Sequence, residues 1–219
     1  MRLEVVNVVA TASAVLSRGE WDAPVKAGLA EGRWLRGGKL MLKCPGMKSK
    51  LVTVFPRPGV LVFLGARDTA SPSADARVLV SLYEKAGCRL EVGEVVVKNV
   101  VAKGDLGLGV RPALVVAALR GAVYEPAIFP AAVVPLDMDG RETRALVFHT
   151  GRVILPGLRS ESEVLAAGAR LVELLLAAAK ETEKHGEFLF FDPAEPWRRI
   201  PAHEATRALG PVKLGAARA

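Results

Sequence analysis

Apolar and polar positions along the chain fall into two matching series. Val5-Val6-Asn7-Val8-Val9-Ala10 and Val97-Lys98-Asn99-Val100-Val101-Ala102 are short β-branched runs with the composition of a strand. Each carries an Asn, a residue type depleted in strands, at the same register. After the first run, Glu20 to Ala30 reads as a short, poorly patterned helix with Pro24 near its start. Lys39 to Lys43, Leu51 to Phe55 and Val60 to Leu64 then read as an antiparallel meander, punctuated by Cys44-Pro45-Gly46 and Pro56-Arg57-Pro58-Gly59. Ser71-Pro72 offers an N-cap with proline at the first helical position, and that helix runs to about Ala86 before Gly87.

The second series repeats this order. A strand at Val95 to Ala102 leads through a Gly-rich loop to a helix from about Arg111 to Leu119. Strands follow near Ala131 to Leu136, Arg144 to Phe148 and Arg152 to Leu155, with turns at Asp137-Met138-Asp139-Gly140 and Thr150-Gly151. Ser160-Glu161-Ser162-Glu163 is a capping box opening an Ala/Leu-rich helix that reaches toward Lys184. The landmarks keep a near-constant offset. Asn7 and Asn99, Gly65 and Gly157, and Arg67 and Arg159 are each 92 residues apart, while Phe55 and Phe148 are 93 apart. Such an offset across separated positions marks a duplicated unit. The expected organisation is a first repeat over 1–92, a second over 93–184 and a C-terminal extension over 185–219. Each half is strand, helix, three-strand meander and long helix, an α+β layer pair.

Charge sharpens the picture. The chain carries a net charge of +7 and a pI near 9.7, which favours an anionic partner. From Gly32 to Arg67 there is no acidic residue, while Arg33, Arg36, Lys39, Lys43, Lys48, Lys50, Arg57 and Arg67 all fall there. A one-signed run crossing strands points to phosphate contact rather than to a merely solvated face. Apolar content of 51% with a mean hydropathy of +0.28 implies an exposed apolar surface that binds something. No apolar run approaches the ~18 residues of a membrane-spanning helix. The first strand begins without room for a signal peptide, so a soluble, cytoplasmic, nucleoid-associated protein with no membrane partner is expected.

Candidate catalytic chemistry is sparse. Cys44 and Cys88 lack metal-ligand spacing, and His149, His185 and His203 do not cluster with them, so plain thiols are the expectation. The stretch Gly104-Asp105-Leu106-Gly107-Leu108-Gly109 contains a Gly-x-Gly but lacks the third glycine and the downstream spacing of a dinucleotide site. No clustered carboxylates and no nucleophile motif are present, so the expectation is a protein without enzymatic activity, cofactor or metal.

The repeated Asn-Val-Val-Ala, the stretch Tyr124-Glu125-Pro126-Ala127-Ile128-Phe129-Pro130 and the stretch Leu146-Val147-Phe148-His149-Thr150-Gly151-Arg152-Val153-Ile154-Leu155 resemble the TATA-box-binding protein family over roughly residues 3–180. The resemblance implies a pseudo-twofold saddle of two repeats, with a curved antiparallel sheet and helices on its convex face. It implies a divergent, archaeal-type factor that binds and bends A·T-rich double-stranded promoter DNA through the minor groove, working with transcription factor B and RNA polymerase. This family is a known example of apolar side chains wedging between base steps. Asn7 and Asn99 match the paired central asparagines, suited to a groove floor that offers acceptors. Val9 and Val101, two residues on, match the apolar groove contacts on the same sheet face. Phe129 and Phe148 match the second-repeat wedge pair, and Phe55 one member of the first. Arg67, Arg152 and Arg159 stand where basic residues lie near phosphates.

Departures from the pattern are concentrated in the first repeat. Its other wedge is missing, with Trp34 or Leu35 as the nearest candidates. Leu64 and Pro156 replace small hydroxyl residues, Val60 replaces a Lys, and Ala127 replaces an acid in the segment where Glu125 and Ile128 match the contact with transcription factor B. Two further readings stand beside the first. One is a paralogue of the same fold whose concave apolar face binds a protein partner or a second copy as a regulator without TATA specificity. The other is an accessory domain of a nucleic-acid enzyme. In the extension, Phe188-Leu189-Phe190-Phe191 reads as a strand or docking segment and Trp197-Arg198-Arg199 as a partner anchor, against a tail packed on its own helices.

Overall fold

The computed structural model describes residues 1–138 and 140–215. The chain divides into two compact units, one from Val6 to Val100 and the other made of Met1–Val5 with the chain from Val101 onward. The C-terminal extension therefore packs within the second unit.

The first unit begins within a long strand, β1 (Arg2–Arg18), whose residues Arg2–Val5 belong to the other unit, followed by α1 (Ala23–Lys26), β2 (Glu31–Leu35), β3 (Lys39–Lys43), β4 (Leu51–Phe55), β5 (Val60–Ala66), α2 (Ser71–Lys85) and β6 (Arg89–Val92). Its sheet runs in the order β2-β3-β4-β5-β1, all antiparallel, and β6 pairs with the far end of β1. Strict alternation decides which side is core. Ala10, Ala12 and Ala14 of β1 join Leu61 and Phe63, Val52 and Val54, and Leu40 and Leu42 in one buried cluster with Leu79, Leu82 and Tyr83 of α2. The Tyr83 hydroxyl donates to the Trp21 carbonyl at 2.5 Å, so the one polar atom of that ring is satisfied inside the core.

Two expectations change here. The segment Glu20 to Ala30 forms only the four-residue α1, and the chain then enters β2, a strand that composition did not announce. The reason is pairing: β2 matches β3 residue for residue, from Glu31 opposite Lys43 to Leu35 opposite Lys39. Non-local hydrogen bonds outweigh the weak local preference of a segment containing Gly32 and two charges. Second, Ser71 is the first helical residue of α2, not its cap. Asp68 does the capping, accepting from the Ser71 amide and hydroxyl at 2.7 Å each and from the Ala70 amide at 3.1 Å. Burial works against ionisation of Asp68, but the Ser71 hydrogen bonds and the nearby Lys48 ammonium outweigh it and hold its carboxyl below the usual range. Asp75 on α2, only 2% exposed, accepts the amides of Lys48 at 2.9 Å and Ser49 at 2.7 Å, tying the loop before β4 to the helix layer.

The second unit contains β7 (Val96–Asp105), whose opening residues Val96–Val100 belong to the first unit, then β8 (Gly109–Val110), α3 (Pro112–Ala118), β9 (Ala131–Met138), β10 (Arg141–Phe148), β11 (Arg152–Leu158) and α4 (Glu161–Glu183). The order β7-β11-β10-β9 repeats the meander of the first unit. Val134 and Leu136, Ala145 and Val147, and Val153 and Leu155 are buried on the side that α4 covers, along with Val164, Leu171 and Leu175 of that helix. Ser160 caps α4, its hydroxyl accepting from the Glu163 amide at 3.1 Å. Glu163 does not close the expected box on Ser160. It takes the Arg159 amide at 3.0 Å and pairs with Arg141 instead. In the turn before β10, the Asp137 carboxylate accepts the Gly140 amide at 2.9 Å, while Asp139 lies outside the described residues.

The extension adds β12 (Phe190–Phe191), β13 (Arg199–Ile200), α5 (Ala202–Leu209) and β14 (Lys213–Leu214). β12 bridges β8 and β13 in a small antiparallel sheet, α5 packs on α4, and β14 runs parallel to the start of β1. Leu189, Phe190, Ile200, Ala205 and Leu209 are buried by this packing. Of the Trp197-Arg198-Arg199 stretch, Trp197 is 77% exposed, Arg198 pairs with Asp192 and Glu204, and Arg199 stacks over Phe188.

The offset of 92 has a geometric basis. Gly59 and Gly151 have φ of 78° and 82°, and Gly65 and Gly157 have φ of 86° and 79°, left-handed values that favour glycine. In β5, Gly65 is the extra residue of a bulge, because Val8 pairs with Ala66 and Val9 with Leu64. The Ala14 amide donates to Gly59 O at 2.8 Å and the Leu106 amide to Gly151 O at 3.0 Å, the same bond in both repeats. The offset rises to 93 at Phe55 and Phe148 because four residues connect β4 to β5, against three between β10 and β11.

Candidate nucleic-acid interface

Helices cover one face of each sheet, and the candidate residues are placed by strand alternation on the other. In the first unit this open face carries Asn7, Val9 and Thr11 of β1. Cross-strand pairing extends it outward: Val9 lies opposite Leu64, Thr11 opposite Val62, Val62 opposite Thr53, and Thr53 opposite Met41. Phe55 sits opposite Val60 at the end of the same face. All are half-buried, shielded by their neighbours. Asn99 also falls in the first unit, half-buried on β7, with Val100 turned inward and fully buried behind it.

The register separates the two candidates for the missing wedge. Leu35 opposes Lys39 and shares the face of Met41 and Phe55, whereas Trp34 opposes buried Leu40 and turns to the helix side. There the Trp34 indole N–H donates to Asp22 at 3.2 Å. Leu35 is the candidate the geometry keeps.

In the second unit the open face is formed by Val101, Ile154, Leu146 and Val133, with Leu146 directly between Ile154 and Val133. Phe148 stands opposite Ala131, and its ring meets that of Phe129 edge-to-face, with centroids 5.9 Å apart at 64°. The segment Tyr124–Pro130 makes this contact by turning tightly, the Glu125 carbonyl accepting the amides of Ile128 and Phe129 at 2.9 Å each. The same turn leaves Ile128 80% exposed beside the exposed Glu125. Arg152, exposed at the start of β11, shares the face of Ile154 by alternation. Arg67 and Arg159 occupy matching places just after β5 and β11.

The structure thus brings Asn7, Val9, Asn99 and Phe55 onto one open face, and Val101, Phe129, Phe148 and Arg152 onto the other. Arg67 and Arg159 sit at the strand-to-helix corners, and Glu125 and Ile128 on an outer loop. Sequence reasoning missed the apolar floor between them, Met41, Leu51, Val62, Leu146 and Ile154, together with the hydroxyls of Thr11 and Thr53. Counting by two from Val9 and Phe55 would have found the threonines. Among the described residues no group of His, Cys, Asp or Glu is placed to hold a metal ion, and no helix is long and apolar enough to cross a membrane.

A family model described as "Transcription factor TFIID (or TATA-binding protein, TBP)" matches residues 94–178. The TATA-box-binding protein of Cenarchaeum symbiosum is 30% identical over 169 residues, covering 74% of this chain and 88% of the relative. The chain belongs to the TATA-box-binding protein family. By the description of its model, this is a family of transcription factors rather than enzymes. The family's protein from Pyrobaculum islandicum is 30% identical over 129 residues, 58% of this chain, and the match spans 64% of that relative's length. The solved structure of Methanococcus jannaschii TBP shares the fold at a TM-score of 0.66, covering 80% of this chain and 98% of that one at 22% identity. The α+β reading of two like repeats agrees with that fold.

Proposed function

We propose that the protein binds A·T-rich duplex promoter DNA through the minor groove with its open sheet faces, and bends it. The observation that carries this reading is an apolar, half-buried face with no helix over it among the described residues, holding an Asn at the equivalent position of each repeat. An apolar floor suits a groove lined by sugar edges, and short amide donors suit the adenine N3 and thymine O2 acceptors of A·T pairs. Phe129 and Phe148 act as the second-repeat wedge, with Phe55 and Leu35 as its counterpart. Arg67, Arg152 and Arg159 serve the phosphates. Leu64 and Pro156 contribute no hydrogen bond to a base, so selectivity rests on the two Asn, on the Thr11 and Thr53 hydroxyls and on DNA deformability. The exposed Glu125 and Ile128 form the docking edge for transcription factor B and, through it, RNA polymerase, in the cytoplasm at the nucleoid. The duplication organises the protein as repeats over 1–92 and 93–184 with an extension over 185–219.

The test is a gel-shift and bending assay on A·T-rich and G·C-rich fragments, with and without transcription factor B. The expected result is retardation and bending of the A·T-rich fragment, and loss of that preference in the double variant Asn7→Ala, Asn99→Ala with phosphate-driven binding retained. No retardation of any fragment at low salt overturns the reading. It leaves the alternative, in which the apolar face takes a protein partner or a second copy of the chain.

A further inference from the structure

The hairpin of β2 and β3 is only half matched among the described strands of the second unit, where β9 answers β3 and an isolated bridge between Val123 and Val133 stands in place of β2. Its side chains are sorted by face. Gly32, Trp34, Leu40 and Leu42 turn to the helix side, while Arg33, Lys39 and Lys43 share the face of Met41, Thr53 and Phe55. Arg36 is exposed in the connecting turn, where Gly37 and Gly38 take φ of 80° and 69°. The one acid of the hairpin, Glu31, pairs with Lys43 at 3.4 Å. Among the described residues no carboxylate lies within ion-pair distance of Arg33, Arg36 or Lys39. The Lys39 ammonium instead sits 5.3 Å from the centroid of the Phe55 ring. Lysines that merely guard a sheet edge against aggregation serve from either face. Here every in-strand cation of the hairpin lies on the open side.

We propose that this hairpin is a phosphate clamp: Arg33, Arg36 and Lys39 bind the phosphodiester backbone of the duplex lying on the open face of the first unit. This rests on the DNA-binding reading above. The Trp34 bond to Asp22 anchors the hairpin from behind, so Arg33 and Lys39 are presented on a braced strand pair and Arg36 on the turn that joins it. Lys39 serves both the phosphate and the ring of Phe55, which gives the first-repeat end a charged character that the bare Phe129–Phe148 pair lacks.

The experiment is fluorescence anisotropy with labelled A·T-rich and G·C-rich duplexes over a series of salt concentrations. Removing one cation that neutralises a phosphate lowers the slope of log K against log salt by about 0.9. The variant carrying Arg33→Gln, Arg36→Gln and Lys39→Gln is expected to lose about 2.7 from that slope, equally on both duplexes. A control carrying Arg170→Gln, Lys180→Gln and Lys184→Gln, at α4 and its C-terminal end, makes the same change in net charge and is expected to keep most of the wild-type slope. The single Lys39→Met, which keeps an apolar stem over Phe55, is expected to lose about 0.9 and tests the clamp even should the triple variant fold poorly. Wild-type protein that binds duplex while the hairpin variants keep its slope overturns the clamp and leaves the DNA reading standing, as does a control that loses as much. Wild-type protein that binds no duplex overturns the DNA reading itself, and the clamp with it.

Discussion

Alanine at Gly151 tests how closely the chain approaches the duplicated turn in the second repeat. The perturbation has two parts. At φ of 82°, an L side chain pays about 1–2 kcal/mol for the left-handed region. A Cβ built there falls 1.9 Å from the carbonyl oxygen of Leu108, a backbone atom that moves only by displacing β8 or the turn. At Gly59, with φ of 78°, the Cβ falls 2.6 Å from the carbonyl oxygen of Ala14, a milder encroachment. Gly186 supplies the baseline, since its φ is 75° and nothing lies within 4 Å of its Cβ position. Restricting the unfolded chain returns about 0.4–1 kcal/mol in every case. Gly186→Ala is therefore expected to cost roughly 1 kcal/mol, Gly59→Ala about 2–3, and Gly151→Ala at least about 4, the range reserved for a named clash. Urea unfolding, with the slope checked for constancy, reads the three values. The consequence for function is local, because Phe148 lends its carbonyl to the Gly151 amide at 2.9 Å and Arg152 follows directly. Gly151→Ala should also weaken DNA bending more than Gly59→Ala does. A Gly151→Ala protein as stable as Gly186→Ala would refute the reasoning.

Two further expectations follow from the site and the core. Replacing Phe129 and Phe148 by Ala, singly and together, should show a coupling of about 0.5–1.5 kcal/mol in a stability cycle, and should reduce DNA bending while leaving the association rate near wild type; an association rate that falls with the bend angle would count against the wedge. Stability should also fall with rising pH between about 9 and 11. Burial, and then the Asp75 carboxylate, push the Cys44 thiol up from 9.0 to about 11, so across that window the folded protein holds a proton that the unfolded chain has released. The full advantage is present below pH 9 and is lost at about 1.4 kcal/mol per pH unit at most. Burial raises the Tyr83 hydroxyl in the same sense, so Cys44→Ala should flatten the slope only in part, and an unchanged slope would rule out Cys44 as a source.

What repeats and what alternates is legible in residue types alone. A 92-residue offset in Gly and Arg marks positions where a left-handed turn or a strand-to-helix corner recurs, and those needs are local enough to show in residue type. Alternation places Val9 on the face of Asn7 and Val101 on that of Asn99, because strand side chains project to opposite sides with period two. Long-range pairing settles the rest. Whether Glu31 to Leu35 is helix or strand depends on β3 offering a partner, and only that register sends Leu35 to the open face and Trp34 to Asp22. The meeting of Lys39 with Phe55 depends on the register of two strands whose pairing the meander announced but whose alignment no local pattern declares. The extension was legible as a tail packed on its own helices but not in where it packs, since Leu189, Phe190 and Leu209 are buried only after the chain returns to β8, α4 and the start of β1. Local chemistry writes turns and faces into a sequence, whereas edges and docked tails are settled by which distant strand or helix stands beside them.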